Sequence, residues 1–207
     1  MPPSSGLILD MGNVLVFFDH HRACRRLAAL GQPGTTEDDV FDLLFHQPLE
    51  RHYDCGEITT TTLLAALREA FGITAADESI ANAWADIFEP NEALVAELPG
   101  LRLRFDRLVL ASNTNELHIG RVRALIPDTL ALFDEQVLSF EVGCRKPAEE
   151  FFRRAIAAAG GRASECVYID DREDFVAAAQ ALGMNAVVYR RGATSWPQGI
   201  MPTSQRL

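Results

Sequence analysis

The sequence predicts an α/β fold, a doubly wound parallel sheet carrying a small helical insert, and three observations support it. Short apolar runs alternate with helix-like segments along a chain of 207 residues, the pattern of strand–helix–strand units. The runs are continuous rather than alternating, as in strands buried on both faces. About 90 residues separate the first run from the second, far more than one crossover helix requires.

The strand-like runs are LILDM (7–11), RLVLA (107–111), QVLS (136–139), CVYI (166–169) and NAVVY (185–189). In the segment PAEEFFRRAIAAAGG, Pro147 suits a first helical position, Glu149 and Glu150 suit the first turn, and Gly160-Gly161 is a stop. REDFVAAAQALG ends likewise at Gly183. Within the long insert, Asp19 suits the N-cap of HHRACRRLAALG, which stops at Gly31. Thr35 or Thr36 suits the cap of TTEDDVFDLLF, and TTTTLLAALREAFG stops at Gly72. DESIANAWADIF places Ile80, Trp84, Ile87 and Phe88 at helical spacing. Several short helices in one insert predict a small helical cap over one edge of the sheet. The last stretch, RRGATSWPQGIMPTSQRL, has turn-formers without periodicity and reads as an irregular surface tail.

Composition narrows the function. A net charge of −10 opposes binding to a nucleic-acid backbone, yet leaves room for a small phosphorylated ligand held by local cations. No apolar stretch approaches the roughly 20 residues of a membrane span, and MPPSSG has no secretory pattern. Cys24, Cys55, Cys144 and Cys166 are scattered and read as reduced thiols, so a cytoplasmic location is the expectation. A monomer is the expected state.

Open α/β sheets bind ligands at the carboxyl ends of their strands, and the reactive residues fall there. The first run ends in Asp10, the second in Ser112-Asn113-Thr114, the fourth in Asp170-Asp171, and Lys146 follows the third. A carboxylate attacks phosphorus as a nucleophile only when the phosphoryl charge is neutralised. Mg²⁺ does this through one or two carboxylates, here Asp10 and one of Asp170 or Asp171. Lys146 and the Ser112 hydroxyl suit the other phosphoryl oxygens. Each residue has an ordinary reading too: turn, cap or loop punctuation. Their shared order and strand-end placement favour the functional one.

These residues resemble the four motifs of the haloacid dehalogenase (HAD) superfamily, matched by LILDMGNVL, VLASNT, CRKP and VYIDD, and the resemblance spans essentially the whole chain. YDCGEITTTTLLAAL (53–67) is similar to the helical cap of subclass I members. The resemblance implies a Rossmann-like, HAD-like core of residues 1–16 and 96–207 in strand order 5-4-1-2-3, with a cap over 17–95. It implies an Mg²⁺-dependent hydrolase, a phosphatase of a small phosphorylated metabolite acting through an aspartyl-phosphate. Asp10 is then nucleophile and metal ligand, Gly12 a ligand through its carbonyl, and Asp171 the acidic ligand, with Asp170 beside it. Ser112, Asn113 and Lys146 bind the phosphoryl group.

Two positions depart from the family pattern. Where most of its phosphatases carry a second aspartate, an acid/base, this chain has Gly12; and where Asp or Asn follows the metal aspartate by four residues stands Phe175, with Asp174 one place earlier. D-M-G-N-V-L with S-N-T-N resembles the α-glucose-1-phosphatase-like branch, which favours a sugar phosphate with a good leaving group. Water or a cap-entry residue, Asp19, His20 or His21, is the expected substitute for the acid, against the ordinary reading of those three as a solvated helix start. A 2-haloacid dehalogenase and a non-catalytic ligand-binding or regulatory protein of the same fold stand as alternatives. Arg22, Arg51, His52 and Arg172 offer anion contacts, though exposed arginine is the ordinary state.

Overall fold

The computed structural model describes residues 6–193 and 195–197. Its strands are β1 (Gly6–Leu9), β2 (Val16–Phe18), β3 (Phe88–Pro90), β4 (Arg107–Ser112), β5 (Glu135–Leu138), β6 (Cys166–Asp170) and β7 (Asn185–Val188). Five of them form one parallel sheet in the order β5-β4-β1-β6-β7, with Leu7 facing Leu108 on one side and Val167 on the other. Numbered by chain order within this sheet, that is the 5-4-1-2-3 arrangement. Side chains alternate faces along each strand. Leu7, Leu9, Leu108, Leu110, Val167 and Ile169 belong to the larger apolar core, which also takes in Leu94, Leu98, Ile119 and Val122 from the helices Glu92–Arg102 and Glu116–Leu125. Ile8, Val109, Ala111 and Tyr168 face the other core, with Phe151, Phe152 and Ala155 of helix Glu149–Ala158 and Val176 and Ala179 of helix Glu173–Ala181. No helix among the described residues is long and apolar enough to cross a membrane.

The insert leaves and re-enters the core through β2 and β3, an antiparallel ribbon pairing Phe18 with Phe88. Three-residue strands give too short a pattern to be read from sequence. Between them, helices His20–Leu30, Glu37–Phe41, Leu49–Asp54, Thr60–Phe71 and Asp77–Ala85 build the helical unit. Capping chemistry sets their starts: Asp19 accepts from the His21 amide, Thr36 and Asp39 form a capping box, and Thr59 accepts from the Thr62 amide. Gly72 ends its helix in the left-handed region, at φ 62°.

Three expectations shift. Helix Asp77–Ala85 stops before Ile87 and Phe88, because the Asp86 carboxylate is drawn by Arg22, Arg26 and Arg121 and the chain then turns into β3. Pro147 precedes the helix that starts at Glu149 rather than opening it. The expected surface tail is irregular at 190–193, yet Trp196 packs into the larger core; residues 194 and 198–207 lie outside those described. Buried Asn91 ties these parts together: its amide nitrogen Nδ2 donates to Val14 O at 2.8 Å and to the Tyr189 hydroxyl at 3.0 Å, and its N–H to Leu15 O at 2.9 Å.

Gly56 sits where the insert meets the core at φ +66°, and a Cβ there would lie 2.2 Å from Phe140 O. Gly56→Ala therefore combines a left-handed backbone with a backbone collision, costing about 2–4 kcal/mol. Thermal unfolding should show a midpoint lowered by about 5 °C or more; a midpoint unmoved would contradict this packing.

Candidate active site

The site is assembled from strand tips. Beyond β1 the Asp10 amide still bonds Ile169 O at 2.9 Å, and Met11 O then accepts from Leu15 and Val16 at 2.9 and 3.1 Å, closing a tight loop. Asn13 in that loop holds φ 54°, a region asparagine tolerates better than most residues. Its Nδ2 donates to Asp171 Oδ2 at 3.0 Å. From the other side comes Lys146, fully buried, with Nζ 2.7 Å from Asp10 Oδ1 and 2.6 Å from Asp170 Oδ2. Asp170 Oδ1 accepts from the Arg172 amide at 2.9 Å, and the Tyr168 hydroxyl donates to Oδ2. Asn113, at the tip of β4, clasps the Lys146 peptide, accepting from its N–H at 2.8 Å and donating to its carbonyl at 3.0 Å. Beneath the ammonium lie the rings of Phe175 and Tyr168, 5.3 and 5.7 Å away, within cation–π range.

Carboxylate oxygens of Asp10, Asp170 and Asp171 lie within 4.8 Å of one another. Three carboxylates against one ammonium leave excess negative charge in a desolvated place. Burial pushes Asp10 up to about 7; Lys146 pulls it down while Asp170 and Asp171 push it further up. Asp171 is also raised by burial and by Asp170, against its bond from Asn13. Burial would lower Lys146, but Asp10 and Asp170 outweigh it and hold the ammonium above its ordinary value. A cluster short of positive charge, made only of hard oxygen donors, fits a divalent cation of the Mg²⁺ type.

Above this floor is a cavity of about 360 Å³, lined by Asp10, Gly12, Asn113, Lys146 and Asp171 and, from the insert side, by His20, Phe45, Glu50 and Asp54. It narrows into a recess of about 50 Å³ that reaches Ser112 and adjoins a wider opening of about 660 Å³ lined by Arg51, Arg145 and Arg172. Asp54 and Glu50 are hydrogen-bonded to each other, and Arg145 Nη1 lies 3.7 and 3.5 Å from them. Burial and then Glu50 raise the Asp54 carboxyl well above its usual range. Asn115 donates to Asp54 at 2.9 Å. Beside Gly12 the space is occupied: a Cβ there would lie 2.8 Å from Phe18 Cε1.

The model of the haloacid dehalogenase-like hydrolases matches residues 5–183. The chain belongs to that family. A HAD family enzyme from Bacteroides thetaiotaomicron, whose structure holds magnesium and inorganic phosphate, is 25% identical with a TM-score of 0.77, over 92% of this chain and 96% of that one. A HAD phosphatase from Thermococcus onnurineus is 16% identical (TM-score 0.64, 96% and 91% covered). A 2-haloacid dehalogenase from Pseudomonas syringae is 18% identical (TM-score 0.62, 95% and 90% covered). The last two share the fold alone, so neither decides between phosphoryl and carbon–halogen chemistry.

In this HAD-like hydrolase, Asp10, Gly12, Asn113, Lys146 and Asp171 share one cavity, while Ser112 lies behind them on the recess. Asp174 does not take up the place left by Phe175: it is exposed and bound to Arg172 at 2.7 Å, with the Phe175 ring filling the space under Lys146. Of the cap-entry residues, Asp19 caps its helix and pairs with Arg25, and His21 bonds Glu37. Only His20 turns inward. Among the candidate anion contacts, Arg172 and Arg51 border the openings, whereas Arg22 pairs with Asp86 and Glu89 and His52 with Glu57. Tyr168, Asn13, Glu50, Asp54 and Arg145 were not singled out from sequence. Asn13 had a signal, the Gly-Asn break after β1; the cap acids had none, since their approach to the core depends on tertiary packing.

Lys146→Met removes the cation between two buried carboxylates. In chelator, urea unfolding should show a loss of about 3–5 kcal/mol; a loss below about 1 kcal/mol would mean the pair tolerates its own repulsion.

Proposed function

We propose that this hydrolase is an Mg²⁺-dependent phosphatase of a small phosphorylated metabolite, with a sugar phosphate favoured, working through an aspartyl-phosphate. The observation that carries this reading is the floor of the cavity: a carboxylate fixed by a buried ammonium, inside a three-carboxylate cluster that needs a hard cation. Asp10, Asp171 and the Gly12 carbonyl are the ligands we assign to Mg²⁺, which supplies the positive charge that lets a carboxylate approach an anionic phosphoryl group. Asp10 attacks phosphorus, and its bond to phosphorus forms as the ester oxygen leaves. Water then attacks the same phosphorus and releases Asp10. Lys146 orients Asp10 and donates to the phosphoryl oxygens, which are also held by Ser112 and Asn113. Asp170, engaged by Lys146, Tyr168 and the Arg172 amide, fixes the lysine.

Supporting this, a relative at 25% identity was crystallised with magnesium and inorganic phosphate, the cation and product type this reading requires. The insert-side wall, with the Glu50 and Asp54 carboxyls beside the Phe45 ring, offers acceptors for sugar hydroxyls and an apolar face for the ring carbons. Carbon–halogen displacement by an aspartate needs no cation, and such a reaction gains nothing from three converging carboxylates.

Asp10→Asn should lower hydrolysis of 4-nitrophenyl phosphate in Mg²⁺ by more than about 10³-fold; equal turnover in parent and variant would remove Asp10 from the nucleophile's role. Release of halide from a 2-haloacid, undiminished by chelator, would establish the dehalogenase instead.

Metal binding should also depend on pH with a fixed sign. Asp10 holds a proton below about 7, so folding favours its protonated form and the metal-free protein loses stability as pH rises from the ordinary carboxylate range through 7. A carboxylate must shed its proton to ligate. The gain in thermal midpoint from Mg²⁺ should therefore be larger at pH 8 than at pH 6, with affinity weakening about tenfold per unit below 7. A gain that grows as the solution is acidified would contradict this.

A further inference from the structure

Expelling an alkoxide from phosphorus requires a proton at the leaving oxygen, and a positioned donor contributes about 10² to 10⁴ in rate. The floor has none to give. Asp10 is the attacking group, Asp171 and Asp170 belong to the carboxylate cluster, and Lys146 is spanned between two of those carboxylates. On the insert side, the raised Asp54 carboxyl is hydrogen-bonded to Glu50, accepts from Asn115 and lies beside Arg145, so a proton it holds is already shared with Glu50.

His20 is different. Like Glu50 and Asp54 it lines both the cavity and the recess, but unlike theirs its polar atom Nδ1 is buried without a hydrogen-bond partner. Leaving such an atom unpaired costs about 1–3 kcal/mol, a cost a bound ligand relieves. Its ring is fixed on several sides, with centroids 4.8 Å from Phe18, 4.8 Å from Phe45, 6.2 Å from Trp84 and 6.2 Å from His118. Phe18 is also the ring that fills the space beside Gly12. The short strand β2 therefore closes that space with Phe18 and, two residues on, places an imidazole on the same wall.

We infer that His20 is the proton donor to the leaving oxygen and the acceptor of the hydrolytic water's proton, an assignment that rests on the phosphatase reading. In the first step the Asp10–phosphorus bond forms, the phosphorus–ester oxygen bond breaks, and imidazolium passes its proton to that oxygen, giving an alcohol. In the second, water attacks phosphorus, neutral imidazole takes its proton, and Asp10 departs as carboxylate, so the imidazolium is restored. Burial outweighs Glu50 and Asp19 and leaves the His20 pKa below its ordinary value, so the imidazolium forms as a phosphoryl dianion on the cavity floor adds its charge to those carboxylates.

The experiment compares 4-nitrophenyl phosphate, whose leaving group needs little protonation, with benzyl phosphate, whose alkoxide needs it. In Mg²⁺, His20→Gln should lose about 100-fold in kcat/KM on benzyl phosphate and less than about threefold on 4-nitrophenyl phosphate. His20→Phe, which keeps a ring in the same packing, should show the same asymmetry, so a misfolded glutamine variant does not decide the matter. Equal losses on both esters in the folded variant would make His20 a packing residue and overturn the inference. An asymmetric loss in Asp54→Asn with none in the His20 variants would move the proton to the Asp54–Glu50 pair and overturn it equally. A parent protein that hydrolyses neither ester would overturn the phosphatase reading itself, and this one with it.

Discussion

The Lys146 ammonium buried between Asp10 and Asp170 is the contact on which the remaining geometry depends. Two carboxylates brought this close out of water repel strongly unless a cation lies between them, and lysine does so from a segment that is not part of the sheet. That segment is fixed by the paired hydrogen bonds between Asn113 and the Lys146 peptide. The tips of β1, β4 and β6 are thus tied by one side chain and one peptide. The ammonium does not complete the neutralisation: burial first, then Asp170 and Asp171, push the Asp10 carboxyl up to about 7 against the pull of Lys146. A site suited to a divalent cation has reason to keep such a deficit, because full neutralisation by protein groups would remove the attraction for the cation.

A second constraint lies in the tight turn after β1. Gly12 carries no side chain, and Phe18 lies where one would project. Phe18 belongs to β2, so the strand that leads into the insert also shapes the wall of the cavity. Insert and cavity floor are therefore joined by covalent continuity over few residues. The ribbon's pairing with β3 and the bonds of Asn91 to Val14, Leu15 and Tyr189 hold that junction against the sheet.

Much of this was legible in the sequence, for physical reasons. The five sheet strands are continuous apolar runs, which only burial on both faces explains, and Asp10, Ser112 and Asp170 stand at their ends, where an open sheet gathers its ligands. Helix starts followed capping chemistry at Asp19 and Thr36. What could not be read depends on distances that local spacing does not encode. The three-residue strands β2 and β3 have no period. Phe175 looked like a vacancy in a ligand set, whereas its ring lies under Lys146 and Arg172 and supplies a π face instead. His20 looked like part of a solvated helix start because a helix N-terminus is usually exposed. It is inward-facing because Phe45 and Trp84, distant in sequence, close over it.

Adjacent residues 145 and 146 show how the two sides of the cavity are coupled. Lys146 projects into the floor, to Asp10 and Asp170, while Arg145 reaches the insert-side acids Glu50 and Asp54. The insert is seated by the same stretch of chain that carries Lys146, the partner of Asp10. Asp54, almost fully buried beside Glu50, has Arg145 as its cationic neighbour, so moving the insert away exposes an acid pair to water and leaves Arg145 without its carboxylates. The chemistry proposed for the floor and the position of the insert are thus linked through two consecutive side chains, the second held by Asn113.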